Sequence, residues 1–356
     1  MSDYVEYKDK IAFHPGYFIK EIIESSGLTQ EDFAKRLDTT PKNLSILVRG
    51  EQRLSNDIAM KLSRLTGTTI GYWLNLQKAY DALIAEFESD NELEKEKKVF
   101  DCLDYKYFRD KYGLKDFPRN KKEQIKETRK FLRVSTLRAL EKRDMAVNFR
   151  SSAHLSEQSV VKANALVQIA TNIALEIDAP KYDKKRFEEA IDFALTQTTN
   201  HRGFYKNINN AFHEAGVILV LLPNMPGSNI NGATKKIGNN IMLMVNDRRL
   251  NADTFWFTLF HEIGHIINGD FGISFEKEKG KIEDMADIFA ENKLIDPEQY
   301  KEFRAQRRFD VNSIKDFAKN INRDPGIVVG RLQNDREIGY TDRSLNMLRQ
   351  KYKVVL

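Results

Sequence analysis

The stretch Phe255–Ile267, FWFTLFHEIGHII, decides how the second half of this chain folds. Trp256, Leu259, Phe260, Ile263 and Ile267 recur at helical spacing, which predicts a packed helix from about Asp253 to Asn268, closed by Gly269. His261 and His265, at i and i+4, share one face of that helix, so their imidazoles can converge on one metal ion. Glu262, beside the first histidine, reaches a water next to that metal but not comfortably the metal itself. That is the general-base position of a metallopeptidase. The bland alternative is a pair of buried core histidines. With only six histidines in the chain, composition alone does not supply a pair in this register.

A catalytic zinc needs a third protein ligand and one open position. Downstream, Glu283 in Glu283-Asp-Met-Ala-Asp287 is the best candidate. Its helix, about Lys281 to Leu294, can cross the histidine helix face to face. Asp284 and Asp270 are weaker candidates. Asp287, one turn after Glu283, suits a carboxylate that accepts the other ring N–H of a ligand histidine and fixes its orientation. Upstream, Gly216–Leu222 reads as a buried strand closed by Pro223 and Pro226. Ile241–Val245 reads as another, closed by Asn246-Asp247. Helices are expected over Val160–Ile177, Lys185–Leu195 and Val311–Ile321. His213 is a candidate to polarise a scissile carbonyl; His154, His201 and His14 carry no assignment. There is no Gly-rich phosphate loop and no Ser–His–Asp or Cys–His set.

From Phe13 to Tyr80 the chain reads as short helices with sharp breaks. Phe18, Ile22 and Ile23 share a face, and Gly27 ends their helix. Thr29 is an N-cap candidate with Asp32 completing an imperfect capping box, and Phe33, Ala34 and Leu37 form the next stripe. Thr40-Pro41 restarts a helix whose inward side is Leu44, Leu47 and Val48, stopped by Gly50. Ser55 opens a helix with Ile58, Ala59, Leu62 and Leu65, and a last one starts around Gly71 with Trp73, Leu74 and Leu76. The tight break Asp38-Thr39-Thr40 suits a helix-turn-helix, which lays its second helix in a DNA major groove. Pro41, Lys42, Asn43 and Ile46 then meet base edges: Lys42 suits a guanine or a phosphate, Asn43 an adenine. Thr29 and Gln30 sit where a phosphate meets free backbone N–H groups. Arg49 and Arg53 suit backbone contacts. A helical bundle used for protein contacts is the alternative that pattern leaves open.

Composition frames these readings. The 356 residues allow two or three domains. Hydrophobic residues at 41% and charged residues at 31% exclude a disordered or fibrous chain. The longest apolar run, Ala215–Leu222, is far short of a membrane span, and the opening MSDYVEYKDK has no apolar signal segment. The lone Cys102 excludes an internal disulfide and is expected to be a buried free thiol. These features point to the cytoplasm. A net charge of +5 permits a nucleic-acid partner without requiring one. Between Tyr105 and Arg150 Lys and Arg outnumber Asp and Glu, which suits a solvated helical connector or a surface adding phosphate contacts.

Two resemblances add to this. His14-Pro15-Gly16, Gly27-Leu28-Thr29-Gln30, Arg49-Gly50, Trp73-Leu74-Asn75-Leu76-Gln77 and Ala79-Tyr80-Asp81 resemble the HigA-type antitoxins of the lambda-repressor-like, Xre-class helix-turn-helix. The resemblance implies a five-helix module working as a dimer on palindromic DNA. The HExxH stretch, Glu283-x-x-Ala286-Asp287-x-Phe289-Ala290, Pro325–Gln333, Ala215–Leu219 and Asn231-Gly-Ala233 are similar to the ImmA/IrrE family of zinc metallopeptidases. That similarity implies a thermolysin-like, zincin-like layout with His261, His265 and Glu283 on one zinc ion per chain.

The expected architecture is therefore multidomain. An all-α helix-turn-helix domain spans 11–81, a charged helical connector 82–148, and an α+β zincin-like domain 149–356. The expected function is a DNA-binding transcriptional regulator with a zinc metalloendopeptidase, a hydrolase that cleaves a partner repressor or itself. A substrate strand is expected to pair with an edge strand near Gly232-Ala233 or Ile241–Val245. The competing expectation is a HigA-like antitoxin and autorepressor whose zinc domain is a sensor or toxin-binding platform without turnover. The expected partners are operator DNA, a protein substrate, repressor or toxin, and a second copy of the chain.

Overall fold

The computed structural model describes residues 4–142, 148–149, 156–248, 251–275 and 280–354. His154 lies outside the described residues. The chain divides into two units, Met1–Lys95 and Glu96–Leu356.

The first unit opens with an antiparallel hairpin, β1 (Tyr4–Tyr7) and β2 (Lys10–Phe13). Helices α1 (Pro15–Ser26), α2 (Gln30–Arg36), α3 (Pro41–Val48) and α4 (Asn56–Thr66) follow, then α5, which runs from Ile70 to Cys102. The side chains of Thr29, Thr40 and Ser55 cap α2, α3 and α4 by accepting the backbone N–H three residues on. His14 caps α1, its Nδ1 accepting the Gly16 N–H at 3.0 Å, and Pro15 fills the first turn. Gly16 is sterically required. A Cβ there would lie 2.2 Å from the Leu47 carbonyl oxygen, because α1 starts directly against the end of α3. The core is Ile19, Phe33, Leu37, Leu44, Leu47, Leu62 and Trp73, all essentially inaccessible. Two expectations shift. Ile19 and Ile23 carry the core side of α1, with Phe18 and Ile22 packed at its edge, and Leu65 is exposed. The hairpin preceding the helices was not expected. Its strands are four residues long, and their ion pairs are distant in sequence: Lys8 with Asp90 and Lys10 with Glu86 on α5.

The second unit continues with α6 (Tyr105–Tyr112), α7 (Lys121–Leu132), a 3-10 turn (Leu137–Glu141), β3 (Asn148–Phe149), α8 (Glu157–Leu175), α9 (Lys184–Thr196) and α10 (Phe204–Glu214). Then come β4 (Val217–Leu222), β5 (Ile230–Ile237), β6 (Asn240–Asn246), α11 (Ala252–Asn268) and β7 (Gly272–Phe275). The last elements are α12 (Lys281–Leu294), α13 (Pro297–Ala305), α14 (Val311–Asn320), α15 (Pro325–Asn334) and α16 (Arg343–Asn346). The strands form one mixed sheet in the order β3-β7-β5-β6-β4, with β3/β7 and β4/β6 parallel and the other pairs antiparallel. Alternation along β4 and β6 sends Val217, Leu219, Ile241, Leu243 and Val245 into one core with Trp256, Leu259, Phe260 and Ile263 of α11. Both strands are covered on two faces, which is why each reads as an unbroken apolar run.

The edge-strand expectation is corrected here. β5 lies between β6 and β7, and β6 between β4 and β5, so neither offers a free edge; the sheet ends at β3 and β4. The charged stretch 82–148 is also not one element. Its first part continues α5, whereas from Glu96 onward it belongs to the second unit. There the buried Glu96 carboxylate accepts from Arg129 at 3.3 Å and from the Leu137 N–H at 3.2 Å. Several of its cations face acids, among them Arg109 with Asp110 and Asp116, and Lys121 with Asp101. Cys102, expected buried, is only partly so. No helix among the described residues is long and apolar enough to cross a membrane.

Candidate metal centre

Two helices build the centre. α11 presents His261 and His265, and α12 crosses it closely enough that a Cβ on Gly264 would lie 3.3 Å from the Ala286 Cα and 3.2 Å from Phe289. This crossing gives structural meaning to the glycine inside the HExxH stretch and to the alanine after Glu283. It brings Glu283 onto both histidines. Glu283 Oε2 is 3.1 Å from His261 Nε2, Glu283 Oε1 is 3.5 Å from His265 Nε2, and the two Nε2 atoms are 3.0 Å apart. All three side chains are buried.

Two nitrogens and a carboxylate oxygen converging this way form a metal-donor set. A tetrahedral zinc with bonds of 2.0–2.1 Å keeps its ligand atoms about 3.3 Å apart. The separations of 3.0, 3.1 and 3.5 Å, the last two to different oxygens of Glu283, lie around that value, so the residues present fit the ion. The outer ring nitrogens are also held. His261 Nδ1 donates to Asp287 Oδ1 at 2.8 Å, and His265 Nδ1 to Asp270 Oδ1 at 3.3 Å. These contacts leave Nε2 of each ring for the metal. Burial disfavours a charged His261, but Asp287 and Glu283 outweigh it and raise its pKa to about 10.

Asp270, a weaker candidate for third ligand, therefore sits behind His265 instead. Gly269 ends α11 in the left-handed conformation (φ 78°), and this reversal returns the next carboxylate to the last histidine. Asp284, the other candidate, is exposed. His213 is tied to the Asp178 carbonyl at 2.7 Å and takes no part in the donor set.

Glu262 is fully buried beneath β5. A Cβ on Gly232 would fall 2.5 Å from Glu262 Oε1, so the strand backbone passes directly across this carboxylate and only glycine allows it. Gly232→Ala is expected to destabilise the chain by about 1–3 kcal/mol through this overpacking. An unchanged urea midpoint would show that strand and carboxylate are not in contact.

In the first unit, Pro41 and Lys42 are exposed at the start of α3, with Asn43 and Ile46 half-buried one turn in. Asn43 is held in place: its Nδ2 donates to Thr39 Oγ1 at 2.9 Å and its Oδ1 accepts from Gln52 Nε2 at 2.7 Å. One amide hydrogen and one lone pair remain for a base edge. Sequence reading missed Gln52, because its role depends on a turn nine residues beyond Asn43. Thr29 accepts the Asp32 N–H at 3.1 Å at the start of α2, and Gln30 is half-buried beside it. Arg49 pairs with Glu51 at 2.8 Å and Arg53 with Asp81, so each has an acidic competitor for phosphate.

Comparison with known proteins covers both units. The helix-turn-helix family model matches residues 19–73, and that of the IrrE N-terminal-like domain matches 217–321, which contains the donor set. Virulence-associated protein I of Dichelobacter nodosus is 36% identical over 76 residues, 21% of this chain and 70% of that protein. The chain belongs to the helix-turn-helix regulators. The regulator YddM of Escherichia coli, of helix-turn-helix type, is 34% identical over 79 residues, 22% of this chain and 84% of its own length. Among solved structures, a HigA-family addiction-module antidote protein from Coxiella burnetii is 31% identical, covering 23% of this chain and 91% of that one with a TM-score of 0.22. This regulator thus joins a helix-turn-helix domain to an IrrE-like, metallopeptidase-like domain in one chain.

Proposed function

We propose that this regulator binds operator DNA through α3 and cleaves a protein regulator, a partner repressor or itself, with a zinc ion held by His261, His265 and Glu283. The observation that carries the reading is the placement of Glu262. It is adjacent to the donor set without belonging to it, and it is buried under a strand whose glycine makes room for it. A site built only to hold metal needs the three ligands and their supporting carboxylates, and has no use for a fourth acid confined there. Zinc at this centre supplies Lewis acidity toward a carbonyl and a water. Glu262 takes the proton of the attacking water and passes it to the leaving amide nitrogen. Asp287 and Asp270 hold the two imidazoles in the tautomer that points Nε2 inward.

The direct test incubates the zinc-loaded chain with each protein encoded beside it and identifies fragments by mass spectrometry. Cleavage at one bond, stopped by chelator and restored by zinc, is expected. Intact partners and an intact chain at full zinc occupancy would instead favour a sensor or toxin-binding platform.

For the DNA domain, we propose a homodimer on a two-fold operator with half-sites about one helical turn apart. Lys42→Ala and Asn43→Ala are each expected to cost ~1–3 kcal/mol of specific affinity. Titrations against operator and scrambled duplexes distinguish this from a phosphate contact, which weakens both equally.

A further inference from the structure

The second unit contains a cavity of about 510 Å³ beside the amino-terminal half of α11. Two of its lining residues lie close to the proposed general base, Glu262. Thr258 on α11 lies one turn before Glu262, and Asn231 directly precedes Gly232, whose backbone lies against the Glu262 carboxylate. The cavity thus borders the strand and the helix that enclose Glu262.

Its chemistry is asymmetric. Inside are Phe204 and Phe255, both largely buried, with Tyr352 stacked on Phe204 at a centroid distance of 4.7 Å. Around it stand Arg248, Lys351 and Lys353, the two lysines exposed. The one carboxylate among the described lining residues, Asp247, already accepts two backbone N–H groups, from Asn224 at 2.8 Å and from Val354 at 2.9 Å. Two exposed lysines therefore border the cavity, Arg248 being half-buried with its Nη2 donating to Asn229 Oδ1 at 3.2 Å, and the one lining carboxylate is engaged by the fold. The lysines are carried by an extended segment fixed along this wall. It is held by the bridge between Asn251 and Lys351, by the Ala252 N–H donating to the Gln350 carbonyl at 2.8 Å, and by the Val354–Asp247 bond.

We infer that this cavity is a substrate subsite selecting an extended peptide that carries a large aromatic side chain beside an acidic one. The aromatic ring lies against the packed cluster of Phe204, Phe255 and Tyr352, and the carboxylate meets Lys351 and Lys353. The inference rests on the peptidase reading for its purpose, but not for its test, because binding can be read without turnover.

The experiment measures binding of matched fluorescent peptides, containing Phe-Glu, Phe-Lys or Ala-Glu at the centre, to the zinc-loaded full chain by anisotropy. The Phe-Glu peptide is expected to bind about 3- to 10-fold more tightly than the Phe-Lys peptide, the range of a few partly exposed ion pairs. The Ala-Glu peptide should bind more weakly than Phe-Glu. In the double variant Lys351→Glu/Lys353→Glu, with zinc content and circular dichroism as in the parent, the order of Phe-Glu and Phe-Lys should reverse. If that variant does not fold, the parent's preference is read at rising salt, where it should shrink. Equal binding of the three peptides, or a Glu preference untouched by both charge reversal and salt, overturns the subsite. A charge-dependent preference in a chain that cleaves no protein leaves the subsite standing and removes the peptidase reading instead.

Discussion

The Glu262→Gln chain is expected to fold, hold zinc and bind operator DNA like the parent, and to cleave its protein substrate about 10²–10⁴-fold more slowly. Glutamine matches glutamate in shape, so it fits beneath β5 where a Cβ at Gly232 could not. It keeps hydrogen-bonding capacity but accepts no proton at neutral pH. The donor set lies on His261, His265 and Glu283, which this change leaves alone. Single-turnover rates with purified protein, together with zinc content and operator affinity, separate the outcomes. A fall in rate with zinc retained assigns Glu262 as general base. Loss of zinc along with the rate would place Glu262 among the ligands.

Zinc affinity should fall in a graded series. His261→Ala removes a ligand that also stands between the Glu283 and Asp287 carboxylates, so zinc should be lost at micromolar concentrations. Glu283→Ala should weaken binding strongly but keep the two nitrogens. Asp287→Asn and Asp270→Asn touch only the outer nitrogens of His261 and His265 and are expected to cost about 10–100-fold in affinity. Competition with a fluorescent chelator reads all four. If Glu283→Ala binds zinc as tightly as the parent, the third ligand lies elsewhere. If Asp270→Asn costs as much as His261→Ala, Asp270 acts on the metal and not through His265.

What was legible in the sequence follows from the range of the forces involved. α11 and α12 were readable to within a residue or two, because a helix announces itself by local periodicity and by its end signals, here Gly269 after Asn268. β4 and β6 were readable because both of their faces are buried, leaving uninterrupted apolar runs. β5 was expected only as an edge strand near Gly232-Ala233: INGATKKI carries Asn, Gly and Lys, and its central place comes from β6 and β7, which pair with it on both sides. The same limit explains the hairpin before α1, held by ion pairs to residues about eighty positions away. Within the site, the spacing of His261, His265, Glu283 and Asp287 was visible because each lies on a regular helix. Asp270 reaches His265 only through the left-handed turn at Gly269, and Gly232 meets Glu262 only through the packing of sheet on helix. In the DNA domain, the helix starts at Thr29, Thr40 and Ser55 were signalled by their capping residues. The bond from Gln52 to Asn43 was not signalled, because it closes across the turn after α3.

The proposal that proteolysis is the regulatory switch is tested most directly in cells carrying either the parent chain or Glu262→Gln under the inducing condition. Operator-driven transcription and the level of the co-encoded regulator are followed side by side by reporter and immunoblot. With the parent, the regulator band should shorten or vanish as transcription rises. With Glu262→Gln, repression before induction should be normal, the band should persist and transcription should stay low. Induction of the variant to the parent's level, with the regulator intact, would contradict proteolysis as the switch.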